Sequence, residues 1–315
     1  MSDKVRLGVP MIGQVWKDAG WYYQAKSASD VMTAIARVGT HGSNHRFAWR
    51  GLANCNYALA SSLHRQLVKE GQAVTEEALR EREDVILAEA RRWGLGVEGG
   101  HLVDDLQLLA DLQHFGIPTR MVDVTSNPMT ALWFAAEHVT RDPEAPLARH
   151  SNTGLLVAIN MPWYREAAEG TKPQTVFKTV SSPPVTWGDL GGLSAKRQAG
   201  LRLATPFLVS SSMPNPRLRA QEGYFLASAH PETERGPMTS LQIPVPEGDA
   251  SEVESLLTGD RKRGLPRTLP FVAIFIDAAV KKQLRTYLRL TYSRTAKTLF
   301  PDYAGFRDFG KWKAR

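Results

Sequence analysis

Apolar residues recur at helical spacing in the first half of the chain and gather into short, β-branched or aromatic blocks in the second. In "TEEALREREDVILAEARRWG" (75–94), Leu79, Ile86, Ala90 and Trp93 keep roughly one face, and acidic residues occupy the first turn, where the helix dipole favours them. In "LVDDLQLLADLQHFG" (102–116), Leu106, Leu109, Ala110 and Gln113 form one stripe. Gly116 follows where a left-handed cap would fall, with Pro118 two residues on. A shorter helix is predicted over 27–39, capped by Ser29 or Asp30 and ended by Gly39. Another is predicted over 127–139, with Pro128 at its first position and Ser126 or Asn127 as cap. Between these helices, 45–52 ("HRFAWRGL") and 121–124 ("MVDV") read as strands.

Beyond residue 152 strands dominate, at 154–160, 205–211, 223–228, 240–245 and 270–276, each bounded by Pro, Gly or Ser. A loop-rich excursion occupies 172–193, a basic helix 277–290 and a tail 299–315. Helices first and strands later predict an α+β fold, a helical N-terminal part packed on a mixed, largely antiparallel sheet. The polar connector 140–152 reads as a surface loop, because the first half has too few strands to build its own sheet. No internal repeat or low-complexity tract is present.

The 315 residues are ample for a real core. No run approaches 18 consecutive apolar residues, so neither a transmembrane helix nor a membrane partner is expected, and the charges scattered through the first residues do not read as a secretory signal. The single cysteine, Cys55, excludes an internal disulfide and favours a cytoplasmic location; with no nearby His to activate it, it reads as small and buried. Lys and Arg exceed Asp and Glu by 7, which suits either a polyanionic partner or an ordinary basic surface. His41 and His45 sit four apart in "HGSNH", poor helix material, and no metal site is expected there.

Three stretches carry candidate chemistry. Arg50 lies between the aromatics Phe47 and Trp49 and Gly51; a planar guanidinium beside a glycine suits a phosphate-bearing ligand, and a structural pairing with a carboxylate suits it equally. In "DVTSNP" (123–128), hydroxyls and unpaired backbone N–H groups stand at a helix mouth. Thr125, Ser126 and Asn127 serve there either as caps or as ligand contacts. Arg120 and Asp123 bracket the preceding strand and either pair with each other or line a pocket. In "PNPRLRAQEGYFLAS" (214–228), Gln221 and Glu222 precede a strand; an acidic group at a strand mouth and an exposed Glu at a hairpin entry are the two readings.

Taken together these stretches resemble the FRG domain family, over roughly residues 27–305. The first motif is matched by Trp49-Arg50-Gly51, with Trp in place of the family's Phe, then Tyr57-Ala58-Leu59 and Ser62-Leu63-His64-Arg65. The second is matched by Gln113-His114, Gly116, Pro118-Thr119-Arg120, Asp123, Thr125, Pro128, Ala131-Leu132 and Phe134-Ala135, and the third by Asn215, Arg217, Gln221, Gly223 and Phe225. The resemblance divides the chain into an N-terminal extension (1–26), an FRG-like domain (27–305) and a basic tail (306–315).

The family's layout is similar to an ADP-ribosyltransferase core, with an Arg on an early strand, a hydroxylated turn into a helix, and a Glu or Gln near a later strand. That likeness implies NAD as substrate, held by Arg50, Gly51, Arg120, Thr125, Ser126 and Asn127. It implies a catalytic set of Arg50 with Gln221 or Glu222, Asp123 or His114 as general base, and no metal. The basic clusters 260–267, 281–285 and 307–315, with Arg65 and Arg120, point to a nucleic-acid acceptor. A toxin or phage-defence role with an inhibitor or antitoxin partner fits such an activity. The competing expectations are a non-catalytic module binding nucleic acid or a nucleotide, and a protein-interaction domain in which the same residues are structural.

Overall fold

The computed structural model describes residues 12–41, 46–103, 105–137, 153–161, 206–209, 211, 216–231, 236–243, 245–259 and 269–310. The connector 140–152, the excursion 172–193 and the basic cluster 260–267 lie outside the described residues.

Seven strands make one mixed sheet: β1 (Tyr22–Ala25), β2 (Phe47–Leu52), β5 (Val122–Thr125), β6 (Gly154–Asn160), β7 (Phe207–Val209), β8 (Gly223–Ala227) and β9 (Phe271–Ile276), in the order β1-β9-β6-β2-β5-β8-β7. Only β1 and β9 run parallel; every other pair is antiparallel. The fold is α+β with a largely antiparallel sheet, as the pattern predicts. β6 and β9 are buried along their whole length. Covered on both sides, such strands have no solvent face to keep polar, which is why they read as unbroken apolar runs. A separate hairpin of β3 (Val97–Glu98) and β4 (His101–Leu102) lies outside this sheet.

The sheet is two pieces meeting at one point. β2 pairs with β6 over six residues, yet with β5 through the single pair Trp49–Thr125. A four-stranded part (β1, β9, β6, β2) and a three-stranded part (β5, β8, β7) therefore splay apart beside that contact. Their covers differ as well. The helices α8 (Ala250–Thr258), α2 (Ala28–His41), α9 (Ala278–Thr291) and α6 (Pro128–Ala136) pack in succession, with α2 against β1 and β9 and α6 against β2 and β6. They enclose the larger core. A smaller core joins Leu87 and Ala90 of α4 (Glu76–Arg92) and Leu106 and Leu109 of α5 (Asp105–His114) to Met121, Val209 and Phe225 on the three-stranded part. A third, minor cluster sits under α3 (Ser62–Lys69).

The structure corrects several boundaries. Ser27, rather than Ser29 or Asp30, caps α2: its hydroxyl accepts from the Asp30 amide, and the helix runs through Gly39. The face of α4 continues through Glu83 and Leu87 and ends before Trp93, which is largely exposed. Residues 240–245 make no strand among the described positions. Their donors go to turns instead: the Leu241 amide to the Met238 carbonyl and the Gln242 amide to the Ser228 hydroxyl. The expected N-terminal extension is partly folded into the body, through α1 (Ile12–Asp18), which carries the fully buried Trp16, and through β1. Within the tail, α11 (Tyr303–Phe309) is helical up to Gly310; the short α10 (Ala296–Leu299) precedes it, with α7 (Pro216–Ala220) beside α10. No helix among the described residues is long and apolar enough to cross a membrane.

Candidate functional site

Where β2 and β5 part, a cleft of about 950 Å³ opens. Arg50 and Gly51 reach it from β2, Asp123 and Thr125 from β5, Thr130 and Phe134 from α6, and Gln221, Arg217 and Tyr224 from the α7–β8 segment. Phe300, Arg307, Asp308 and Phe309 come from the end of the described chain. The rings of Phe300 and Phe309 lie 4.8 Å apart, and Trp133 packs against both, so α11 is anchored to α6 by aromatic contacts.

Arg50 is held at one end only. Its Nη1 donates to the Asp123 carbonyl at 2.8 Å and lies 3.5 Å from the Asp123 carboxylate, while its Nε is buried without a hydrogen-bond partner. The carboxylate of Asp123 is more than half exposed, with Gln113 Nε2 at 3.4 Å from it. The Thr130 hydroxyl, on a fully buried residue, also lacks a partner. Buried polar atoms normally find one; these two lie just beneath the wall of the cleft.

The hydroxylated helix mouth is built mainly as a cap. Thr125 Oγ1 donates toward the Gln221 and Glu222 carbonyls, at 2.8 and 3.1 Å, and accepts from the Asn127 amide. Asn127 Oδ1 accepts from the Met129 amide, which makes Asn127 the cap of α6 with Pro128 at its first position. The Ser126 amide donates to the Glu222 carbonyl, and its side chain is exposed and does not line the cleft.

Gln221 and Glu222 do not alternate along a strand, as their position before β8 suggests. They form the turn that leaves α7, with Glu222 in the left-handed region at φ 48°. Gln221 lines the cleft, its amide donating to the Leu299 carbonyl. The Glu222 carboxylate turns away, accepting from Asn127 Nδ2 at 2.8 Å and from Arg294 at 3.0 Å.

His114, the last residue of α5, is not among the residues that line the cleft. Burial lowers its pKa, as does the charge of Arg217, against Asp302 and Asp123, which raise it. Arg120 stands apart from the cleft altogether. Its guanidinium is buried, with Nε 2.9 Å from both Glu83 oxygens, Nη2 2.7 Å from Glu83 Oε2 and Nη1 2.8 Å from Glu76. It ties the start of β5 to α4, so the expected pairing with Asp123 is replaced by one with two glutamates. Gly51 has a packing reason of its own: a Cβ there would stand 1.8 Å from the Ala131 carbonyl oxygen, because α6 crosses directly over β2.

Of the basic run 281–285, Lys281 is buried and Arg285 donates to the Ala136 carbonyl, so that run is not a continuous phosphate-tracking face. Cys55 is half-buried rather than buried. Tyr224, Phe300 and Phe309 line the cleft without having been picked out by local sequence, and Arg307 stands out in the sequence only as part of a basic cluster. The aromatic residues after 299 are some 250 positions from Arg50, beyond the reach of any local pattern.

No curated protein and no solved structure matches the chain. The family model for the FRG domain does, over residues 45–144, a span that includes Arg50, Asp123, Thr125 and the whole of α6. The cleft is thus walled on one side by the stretch, residues 45–144, that matches the FRG domain.

Proposed function

We propose that the cleft binds NAD and that the chain transfers its ADP-ribose to a nucleophilic acceptor. One observation carries this reading: Arg50, Asp123, Thr125 and Gln221, drawn from three separate stretches, line a single cleft of about 950 Å³, within the size of small-molecule sites. The partly exposed guanidinium of Arg50, at the cleft wall, suits a phosphate oxygen. Phe134 and Tyr224 supply apolar surface for a flat ring.

In the transfer, the bond between the nicotinamide nitrogen and the ribose C1′ breaks, and nicotinamide leaves neutral with the bonding electrons. An acceptor oxygen or nitrogen forms the new bond to C1′ and gives its proton to a base. Asp123 is the base this geometry favours, since its carboxylate is accessible at the cleft while that of Glu222 is held by Asn127 and Arg294. Positive charge developing on the ribose is stabilised by the same carboxylate. The excess of cations over anions in the sequence supports DNA or RNA as acceptor.

The engagement of Glu222 also favours a second reading, a nucleotide-binding module without turnover. Incubation with labelled NAD and DNA, RNA or protein separates the two. Transfer predicts nicotinamide release and label on one acceptor, both lost in Arg50→Ala with the thermal transition retained. NAD binding without release supports the module, and a collapse of stability in Arg50→Ala supports a structural arginine.

A further inference from the structure

We propose that Arg217, from the third family motif, is a second phosphate-gripping residue of the cleft, acting with Arg50 on the diphosphate of a dinucleotide. The inference rests on the reading of the cleft as an NAD site and adds a residue to which that reading gives no role. Arg217 lies on α7 with its guanidinium carbon 4.4 Å from the centre of the Phe300 ring. Phe300 is itself wedged among Trp133, Phe134 and Phe309, at centroid distances of 5.9, 5.9 and 4.8 Å. Stacking on a ring fixes the plane of a guanidinium and leaves its N–H fork directed edgewise.

Nothing among the described residues takes up that fork. Arg217 makes no hydrogen bond and no ion pair with them, although it lines the cleft. The other cleft cations are engaged: Arg307 with Asp308 at 2.8 Å, and Arg50 with Asp123. Arg217 is therefore an oriented cation with its donors unused, facing a cavity that Arg50 also lines. Two guanidinium groups from opposite parts of the splayed sheet, one on β2 and one beside β8, fit a ligand with two linked phosphates better than one with a single charge. The charge of Arg217 already acts on its surroundings, since it helps to lower the pKa of His114.

The test is calorimetric titration of the full chain with ADP-ribose, inorganic pyrophosphate, adenosine and a short single-stranded oligonucleotide. The variants are Arg217→Met, which keeps the apolar stem on Phe300, and Arg217→Lys, which keeps charge without the planar fork. Loss of a charge-assisted contact should weaken ADP-ribose and pyrophosphate at least about tenfold in Arg217→Met. Adenosine binding should not change, and Arg217→Lys should fall between Met and the parent. Unchanged thermal transitions show that the variants fold.

Parent protein that binds ADP-ribose with equal affinity in Arg217→Met overturns the grip and leaves the NAD reading standing. Pyrophosphate bound in an Arg217-dependent way without ADP-ribose binding supports the grip and overturns NAD. If oligonucleotide binding alone depends on Arg217, or if the parent binds none of these anions, the proposal is wrong. A matching result comes from NMR of His114. Its pKa should rise in Arg217→Met, and should rise in the parent on addition of pyrophosphate, as the cation beside it is neutralised.

Discussion

Replacing Arg120 with methionine should destabilise the protein far more than a motif residue that served only a ligand would. Glu83 is completely buried in α4, and Arg120 is its cation, with three contacts between 2.7 and 2.9 Å. Removing the guanidinium leaves a carboxylate without a counter-charge inside the protein, which costs about 3–5 kcal/mol in comparable buried pairs. Glu76 is affected less. It is partly exposed and keeps the Arg80 side chain and the His230 amide as donors. The expected loss therefore comes mostly from one group.

Urea unfolding followed by circular dichroism reads it directly. With a slope of about 3 kcal/mol/M, the midpoint should fall by roughly 1–2 M in Arg120→Met. The double variant Arg120→Met/Glu83→Leu removes the stranded charge and should recover most of that loss. A single variant within about 0.5 kcal/mol of the parent, or a double variant no more stable than the single, would refute the reasoning.

Gly51→Ala should cost about 3 kcal/mol or more, because the new methyl meets backbone of α6 rather than a side chain that can move, and thermal unfolding would show it. Lys281 has its pKa lowered by burial to about 8. The folded state thus binds fewer protons there than the unfolded chain between pH 8 and the ordinary lysine value, and this group's contribution to stability rises with pH across that window. In Lys281→Met, which should be more stable than the parent near pH 7, that part of the rise should vanish; parallel pH profiles for the two proteins would contradict the assignment. Asn127→Ala should lower stability by about 1 kcal/mol through loss of the α6 cap, measured in the same urea titration.

Periodicity located most of what is regular here, and the misses have physical causes. β6 and β9 were legible because both faces are buried, and α6 because a capping Asn precedes Pro at the first helical position. The face of α4 was only half legible, since an apolar reading passes over Glu83, and nothing local reveals that its cation stands 37 residues later. Arg120 looked like a ligand group for the same reason. Residues 240–245 have strand composition, yet their amides are claimed by a turn and by Ser228. The turn at Gln221 and Glu222 escaped because a non-glycine residue at positive φ has no strong sequence mark. Arg50, Asp123 and Thr125 could be picked out from short motifs, whereas their meeting with Phe300 and Phe309 depends on long-range packing that no window contains.

The lone Trp49–Thr125 pairing has a mechanical consequence. A continuous ladder would lock the angle between the two sheet parts through hydrogen bonds; with a single rung, that angle rests on α6, which follows β5 and lies against β2 at Gly51. A side chain forced in at that crossing would then alter the aperture of the cleft as well as its stability, so the absence of a side chain there sets the width of the opening.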